Sequence, residues 1–241
     1  MEIIPAVDLM NGKIVRLIRG DPETSKSYEY LGDPVTVAKK WENEGADAIH
    51  IIDLDAALDR GSNIEVIREV VRVVGVPTQV GGGIRKLKVA RELLGMEVSR
   101  VILGALAFNE PSAVTKLLRD FGTERVVVAL DYRHGEVMVR GWKTSMKLSV
   151  EEAMKRFFEL GARLFLVTSI EKDGTLTGPD YEMLAKACSY SGTSVIAAGG
   201  VSNLKDLAAL KQIGVKGVVI GKALYEGVFK LGEALRVARE R

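Results

Sequence analysis

Val80-Gly81-Gly82-Gly83-Ile84 followed by Val101-Ile102-Leu103-Gly104, and Ala198-Gly199-Gly200-Val201 followed by Val218-Val219-Ile220-Gly221, read as two copies of one unit. Gly82 and Gly199 stand 117 residues apart, as do Gly104 and Gly221 (199 − 82 and 221 − 104). Leu87, Lys88, Leu93 and Val98 recur at that offset as Leu204, Lys205, Leu210 and Val215. Each copy runs strand, glycine loop, helix, strand, glycine. Glycine loops let backbone N–H groups approach an anion closely. The repeat therefore predicts two equivalent anion sites and a ligand carrying two phosphates. The candidate contacts are Gly81, Gly82, Gly83, Gly104 and Ala105 in the first copy, and Gly199, Gly200, Gly221 and Lys222 in the second.

Outward from these loops, short β-branched runs alternate with longer amphipathic segments. Strands are expected at 2–9, 48–53, 77–80, 100–103, 125–131, 163–168, 194–197 and 216–220. Helices are expected at 33–45, 63–74, 111–121, 149–161, 203–213 and 231–239. Gly45 and Gly161 sit where helix C-caps belong. Eight alternating βα units with no long linker predict one α/β domain over 1–241, a closed (βα)8 TIM barrel rather than an open sheet. The duplication reaches the other strands. Asp8 ends the first strand and Asp131 the fifth, and each is followed four residues later by glycine, Gly12 or Gly135, and a hairpin-like run. Two duplicated half-barrels, about 1–122 and 123–241, are the expected architecture.

Composition bounds the function. Of 241 residues, 47% are hydrophobic and 27% charged, which marks a globular chain rather than a disordered one. No apolar run approaches the roughly 20 residues that cross a bilayer, and no basic n-region opens the sequence, so a cytoplasmic protein with no membrane partner is expected. A net charge of +2 gives no basic groove for nucleic acid. The single cysteine, Cys188, excludes an internal disulfide and a thiolate cluster, and its helical surroundings predict a small apolar role. With two histidines and no clustered acids, no metal site is expected. Glutamine occurs only at Gln79 and Gln212 among abundant Lys, Arg and Glu, a bias compatible with a thermophilic source.

In an α/β barrel the polar groups at the C-terminal ends of strands face the active-site mouth. That rule selects Asp8, Asp53, Asp131 and Thr168. A carboxylate closing an apolar run is partly desolvated, which favours a raised pKa and an acid or base role; the alternative is a loop cap. The duplicated placement of Asp8 and Asp131 favours chemistry. Arg16, Arg19, Arg85 and Arg140 stand in loops on the same face as candidate cationic contacts. Trp142 is an aromatic in a polar, glycine-containing loop, placed either to stack on or close over a ligand or to pack its own loop. His50 lies within the second strand, as a core histidine or, near Asp53, a ligand contact. His134 has no neighbour that suggests a role.

These residues resemble the histidine-biosynthetic phosphoribosyl isomerases over essentially the whole chain. The likeness is carried by Ile4-Pro5-Ala6-Val7-Asp8-Leu9, His50-Ile51-Ile52-Asp53-Leu54-Asp55, Gly81-Gly82-Gly83-Ile84-Arg85, Arg140-Gly141-Trp142 and Thr168-Ser169-Ile170-Glu171-Lys172-Asp173-Gly174-Thr175. The resemblance implies an Amadori rearrangement of phosphoribosylformimino-aminoimidazole carboxamide ribotide, an aminoaldose, to its aminoketose, with no cofactor. It implies Asp131 as general acid, Asp8 as general base and Thr168 as a residue that assists Asp8. It also implies Arg16, Arg140 and Trp142 as substrate contacts and Asp173 in a mobile loop after the sixth strand. A monomer acting on a bisphosphorylated small molecule is expected. Gly104-Ala105-Leu106-Ala107 departs from the family, which commonly has a hydroxyl residue beside that glycine, so a phosphate there is expected to rest on backbone N–H groups.

Two relatives share the acid–base pair. The sister cyclase has a cysteine before its first catalytic aspartate and a lysine in the following loop, where this chain has Val7 and then Arg16 and Arg19. A dual-substrate isomerase that also accepts phosphoribosyl anthranilate stays open on these residues, as an alternative within the same chemistry. A phosphoribosyl-binding scaffold without turnover is disfavoured by the presence of both aspartates.

Overall fold

Strand parity organises the fold. The structure, a computed structural model, describes residues 1–240. Its eight parallel strands are β1 (Glu2–Met10), β2 (Ile49–Asp53), β3 (Thr78–Gly81), β4 (Arg100–Leu103), β5 (Val126–Arg133), β6 (Leu164–Ser169), β7 (Ser194–Ala198) and β8 (Gly217–Ile220). Each pairs with the next, and β8 pairs with β1, so the sheet closes into a barrel as expected. The longer helices are α1 (Pro34–Asn43), α2 (Ile64–Val73), α3 (Leu87–Gly95), α4 (Pro111–Phe121), α5 (Val150–Glu159), α6 (Tyr181–Cys188), α7 (Leu204–Ile213) and α8 (Leu231–Arg239).

Successive residues of a strand face opposite sides of the sheet, so each strand feeds two cores. Ile3, Val7 and Leu9 of β1 join the large helix-facing cluster. Ile4 and Ala6 join Ala48, Ile102, Val127, Ala129, Leu164, Leu166, Ile196 and Val219 inside the barrel. Local signals set the helix ends. Asp33 accepts from the Thr36 N–H at 2.8 Å ahead of Pro34, and Ser149 and Asn203 form capping boxes. Gly45 and Gly161 follow the last turns with φ of 94° and 98°. Cys188 packs half-buried against the core, and burial pushes its thiol up to about 11.

Beyond the eight barrel strands, four more belong to hairpins at the mouth. β1 continues antiparallel into Lys13–Ile18 and Asp21–Ser27, and β5 into Glu136–Val139 and Thr144–Ser149. Both first turns have positive φ at two residues, Asn11 (52°) with Gly12 (73°) and His134 (50°) with Gly135 (79°). This is the two-residue hairpin turn whose twist suits the flanking strands. His134 is thus a turn residue, with Nδ1 3.3 Å from Glu171. Among the described residues no helix is long and apolar enough to cross a membrane.

Candidate active site

The inward rows of the strands end in polar groups at the C-terminal mouth. In β1 the row Ile4, Ala6 continues to Asp8; in β5 the row Val127, Ala129 continues to Asp131; in β6 the row Leu164, Leu166 continues to Thr168. Three strands separate β1 from β5 either way round the ring, so the two carboxylates face each other across the mouth. One cavity takes in Asp8, Asp131, Thr168, His50, Arg16, Arg85, Arg140, Trp142 and Asp173. The same cavity reaches Gly82, Gly83, Gly104 and Ala105 on one side and Gly199, Gly200, Gly221 and Lys222 on the other.

Three expected residues, Asp53, Gly81 and Arg19, fall outside it. Asp53 sits one position out of the inward row of β2, which runs Ala48, His50, Ile52, and its carboxylate turns to its own loop. It accepts from Ala56 N, Ser62 Oγ, Asn63 N and Asn63 Nδ2 at 3.0, 3.2, 2.7 and 2.7 Å. The expectation of a ligand contact at Asp53 is therefore corrected to a loop clamp. Gly81 is likewise a packing glycine, since a Cβ there would stand 3.0 Å from Ile52 Cδ1 and 3.1 Å from Ile102 Cβ.

The two facing aspartates have different partners. Asp8 Oδ2 accepts from Arg16 Nη1 at 2.6 Å, and both side chains are nearly buried, 15% and 8% exposed. Burial raises the Asp8 pKa against the pull of Arg16. Asp131 Oδ2 accepts from Trp142 Nε1 at 2.8 Å, and the neutral Thr168 side chain beside the same carboxylate favours its charged form. Burial raises the Asp131 pKa against these two neutral groups. Thr168 stands in register with Asp131 on adjacent strands. Thr168 thus sits nearer Asp131 than the resemblance, which links it to Asp8, implies, because β6 neighbours β5 and not β1. Asp173 makes a third carboxylate at the mouth: burial, with Asp8 and Asp131 adding and Arg16 opposing, raises it to about 6.

Three loops meet over the cavity. The indole of Trp142 lies against Gly20 in the β1 hairpin, where a Cβ would fall 2.3 Å from Cε3. Arg19 N donates to the Asp173 carbonyl at 3.0 Å and Arg19 Nε to the Glu171 carbonyl at 3.2 Å. Lys222 Nζ donates to the Gly174 carbonyl at 2.8 Å, so this ammonium is tied to the β6 loop at the edge of the cavity. Gly20 and Gly174 are the parts that strand-end reasoning passed over, whereas Arg19, an expected cationic contact, ties the β1 hairpin to the β6 loop. The signal of these two glycines is only their place in a mouth loop.

Both glycine sets have matching geometry. Gly82 and Gly83 have φ of 92° and 64°, Gly199 and Gly200 of 91° and 89°. A Cβ on Gly82 would meet the Asp53 carbonyl, and one on Gly200 the Gly178 carbonyl, at 2.3 Å each. Each pair thus leans on the preceding loop in a backbone shape that side chains rarely adopt. Gly104 (φ −94°, ψ −104°) and Gly221 (φ −105°, ψ −99°) open the short helices Ala105–Asn109 and Lys222–Tyr225. The first N–H groups of a helix have no intrahelical acceptor. Arg16 lies over Gly221, where a Cβ would stand 2.1 Å from Nη2, and its buried Nε finds no acceptor among the described residues. Arg85 is held to Asp59 and to the Ala57 carbonyl at 3.2 Å. No group of three or more metal-ligating side chains occurs among the described residues.

Residues 2–230 match the histidine biosynthesis protein family. Similar proteins include one from Methanothermobacter thermautotrophicus, 43% identical over 98% of this chain and 98% of its own. One from Methanocaldococcus jannaschii is 41% identical over 99% of this chain and 100% of its own. One from Thermus thermophilus is 41% identical over 97% and 98% respectively. Each bears the name 1-(5-phosphoribosyl)-5-((5-phosphoribosylamino)methylideneamino)imidazole-4-carboxamide isomerase.

Proposed function

This chain belongs to the histidine biosynthesis protein family, and from that membership we propose how its barrel mouth converts the bis-phosphoribosyl imidazole carboxamide aminoaldose to its aminoketose. The protein is an aldose–ketose isomerase of histidine biosynthesis. Its ligand spans the mouth with one phosphate at Gly82, Gly83, Gly104 and Ala105 and the other at Gly199, Gly200, Gly221 and Lys222, beside Arg16.

The observation that carries the division of labour is the unequal pairing of the two aspartates. Arg16 holds Asp8 with a full positive charge at 2.6 Å, which favours the carboxylate and suits a general base. Asp131 has only neutral partners, Trp142 and Thr168, which leaves a proton easier to keep and suits a general acid. Asp131 delivers its proton to the ribose ring oxygen as the C1–O bond breaks and the adjacent nitrogen forms a Schiff base. Asp8 then takes the proton from C2, and the electron pair of that C–H bond moves to give an enolamine. Ketonisation returns a proton to C1 as the 2-hydroxyl loses one, so substrate and product have the same atoms and no redox partner is consumed. Trp142 and the β6 loop cover the centre during these steps.

Two variants test the roles. Asp8→Asn and Asp131→Asn are each expected to lower kcat by at least about a thousandfold, within the range of general acid–base contributions, with ligand binding largely retained. Full activity in either variant overturns the assignment. The assay is run with the imidazole carboxamide aminoaldose and with phosphoribosyl anthranilate, and turnover of the second would extend the substrate range without changing the acid–base pair.

A further inference from the structure

The apolar barrel interior is interrupted by polar groups on one side only. Val127, Leu164, Leu166, Ile196 and Val219 fill it beneath β5 to β8. On the β1 to β4 side a column of polar groups climbs from the closed end towards the mouth. Arg100, the first residue of β4, clamps Glu2, the first of β1, with Nη1–Oε2 and Nη2–Oε1 distances of 2.8 and 3.0 Å. The same Nη1 lies 3.5 Å from Gln79 Oε1. Gln79 Nε2 stands 2.8 Å from Nδ1 of His50, a neighbour in register on the adjacent strand. Gln79 is 1% and His50 5% exposed, so the contact between them has no competition from bulk water.

The chain of donors fixes a proton. A guanidinium only donates, so the Gln79 atom turned towards Arg100 is the amide oxygen and the NH2 group is turned towards His50. That NH2 group needs an acceptor, so Nδ1 of His50 carries a lone pair and the ring proton sits on Nε2. Burial, with the charge of Arg16 adding, lowers the His50 pKa to about 3, so the ring stays neutral in the working range. His50 also lines the cavity, on β2 between Asp8 and the first glycine loop.

We propose that Gln79, held from below by Arg100 and Glu2, is a positioning residue that fixes His50 as an Nε2–H donor to an uncharged acceptor in the middle of the ligand. The ligand class rests on the function proposed above: between its two phosphates lies an imidazole carboxamide, whose carbonyl oxygen is an acceptor of this kind. A ring so fixed cannot take a proton at Nε2. Proton transfer stays with the aspartates, while His50 recognises the heterocyclic centre and selects against a donor in that place.

The test reads the tautomer directly. The chain has only two histidines and the other, His134, is exposed, so nitrogen-resolved NMR of the ring separates them. The His50 ring is expected to show a protonated Nε2 and an unprotonated Nδ1 from pH 5 to 8. In Gln79→Glu the carboxylate accepts from Nδ1–H, so the ring is expected to switch tautomer or become charged. KM should then rise by about tenfold, the worth of one hydrogen bond, with a much smaller change in kcat. His50→Gln, which keeps an N–H near the Nε2 position, should bind better than His50→Leu. A wild-type ring that is protonated on Nδ1, or that titrates near its ordinary value, overturns the proposal, as does Gln79→Glu with an unchanged KM. Should Gln79→Glu fail to fold, the wild-type spectrum alone decides. That spectrum needs no substrate, so it stands or falls apart from the proposed isomerisation.

Discussion

Trp142 reaches Asp131 because a residue on the opposite hairpin has no side chain. Its ring rests on Gly20, and a Cβ there would stand 2.3 Å from Cε3 at a φ of +70°, where an L side chain is also strained. Gly20→Ala is therefore expected to lift the indole from the mouth and remove its hydrogen bond to Asp131. A hydrogen bond to a charged group contributes about 1.5–3 kcal/mol, so a fall in kcat of roughly ten- to a hundredfold is expected. Trp41, the other tryptophan, is buried in the helix-facing core, so a red shift of tryptophan emission reports Trp142 entering water. Unchanged kcat with unchanged emission would refute this placement of the ring.

At the level of strands, alternation explains what was readable and what was not. Asp8, Asp131 and Thr168 continue inward-facing rows of two apolar residues, and that parity can be counted along the sequence. Asp53 occupies an equally prominent strand end but the opposite parity, and counting from Ala48 and His50 would have turned it away from the mouth. Its four hydrogen bonds to Ala56, Ser62 and Asn63 close the loop after β2. Asp53→Ala is expected to cost about 2–4 kcal/mol in urea unfolding, because it leaves several loop donors unsatisfied. The folded fraction should keep kcat within about threefold, and a kcat collapse in a well-folded variant would return Asp53 to the chemistry. Other features needed the register between strands, which no single segment carries. Thr168 serves Asp131 only because β6 neighbours β5. Gln79 meets both His50 and Arg100 only because β3 lies between β2 and β4.

For the whole molecule, the eight alternating βα units predict the closed barrel, and the matching backbone angles of Gly104 and Gly221 show the same turn in both copies of the repeated glycine unit. The way the loops after β1, β5 and β6 close on one another was not legible, since it depends on contacts between segments more than a hundred residues apart, such as Arg19 with Asp173. That closure gathers three carboxylates, Asp8, Asp131 and Asp173, into one poorly solvated space, and burial raises the pKa of each. The consequence for stability has a definite sign. Asp173 has a folded pKa of about 6 against an ordinary 3.8, so between those values the folded state binds more protons than the unfolded one. Stability is then greatest below the lower value and falls as pH rises through the upper one, by up to about 3 kcal/mol for this group. The ligand-free protein should accordingly unfold at higher urea concentration at pH 5 than at pH 7.5. Asp173→Asn, which has no charge to desolvate, should flatten that difference and be the more stable protein at pH 7.5. A wild type that gains stability from pH 5 to 7.5, or an Asp173→Asn profile parallel to it, would mean that the mouth opens enough in solution to rehydrate the third carboxylate.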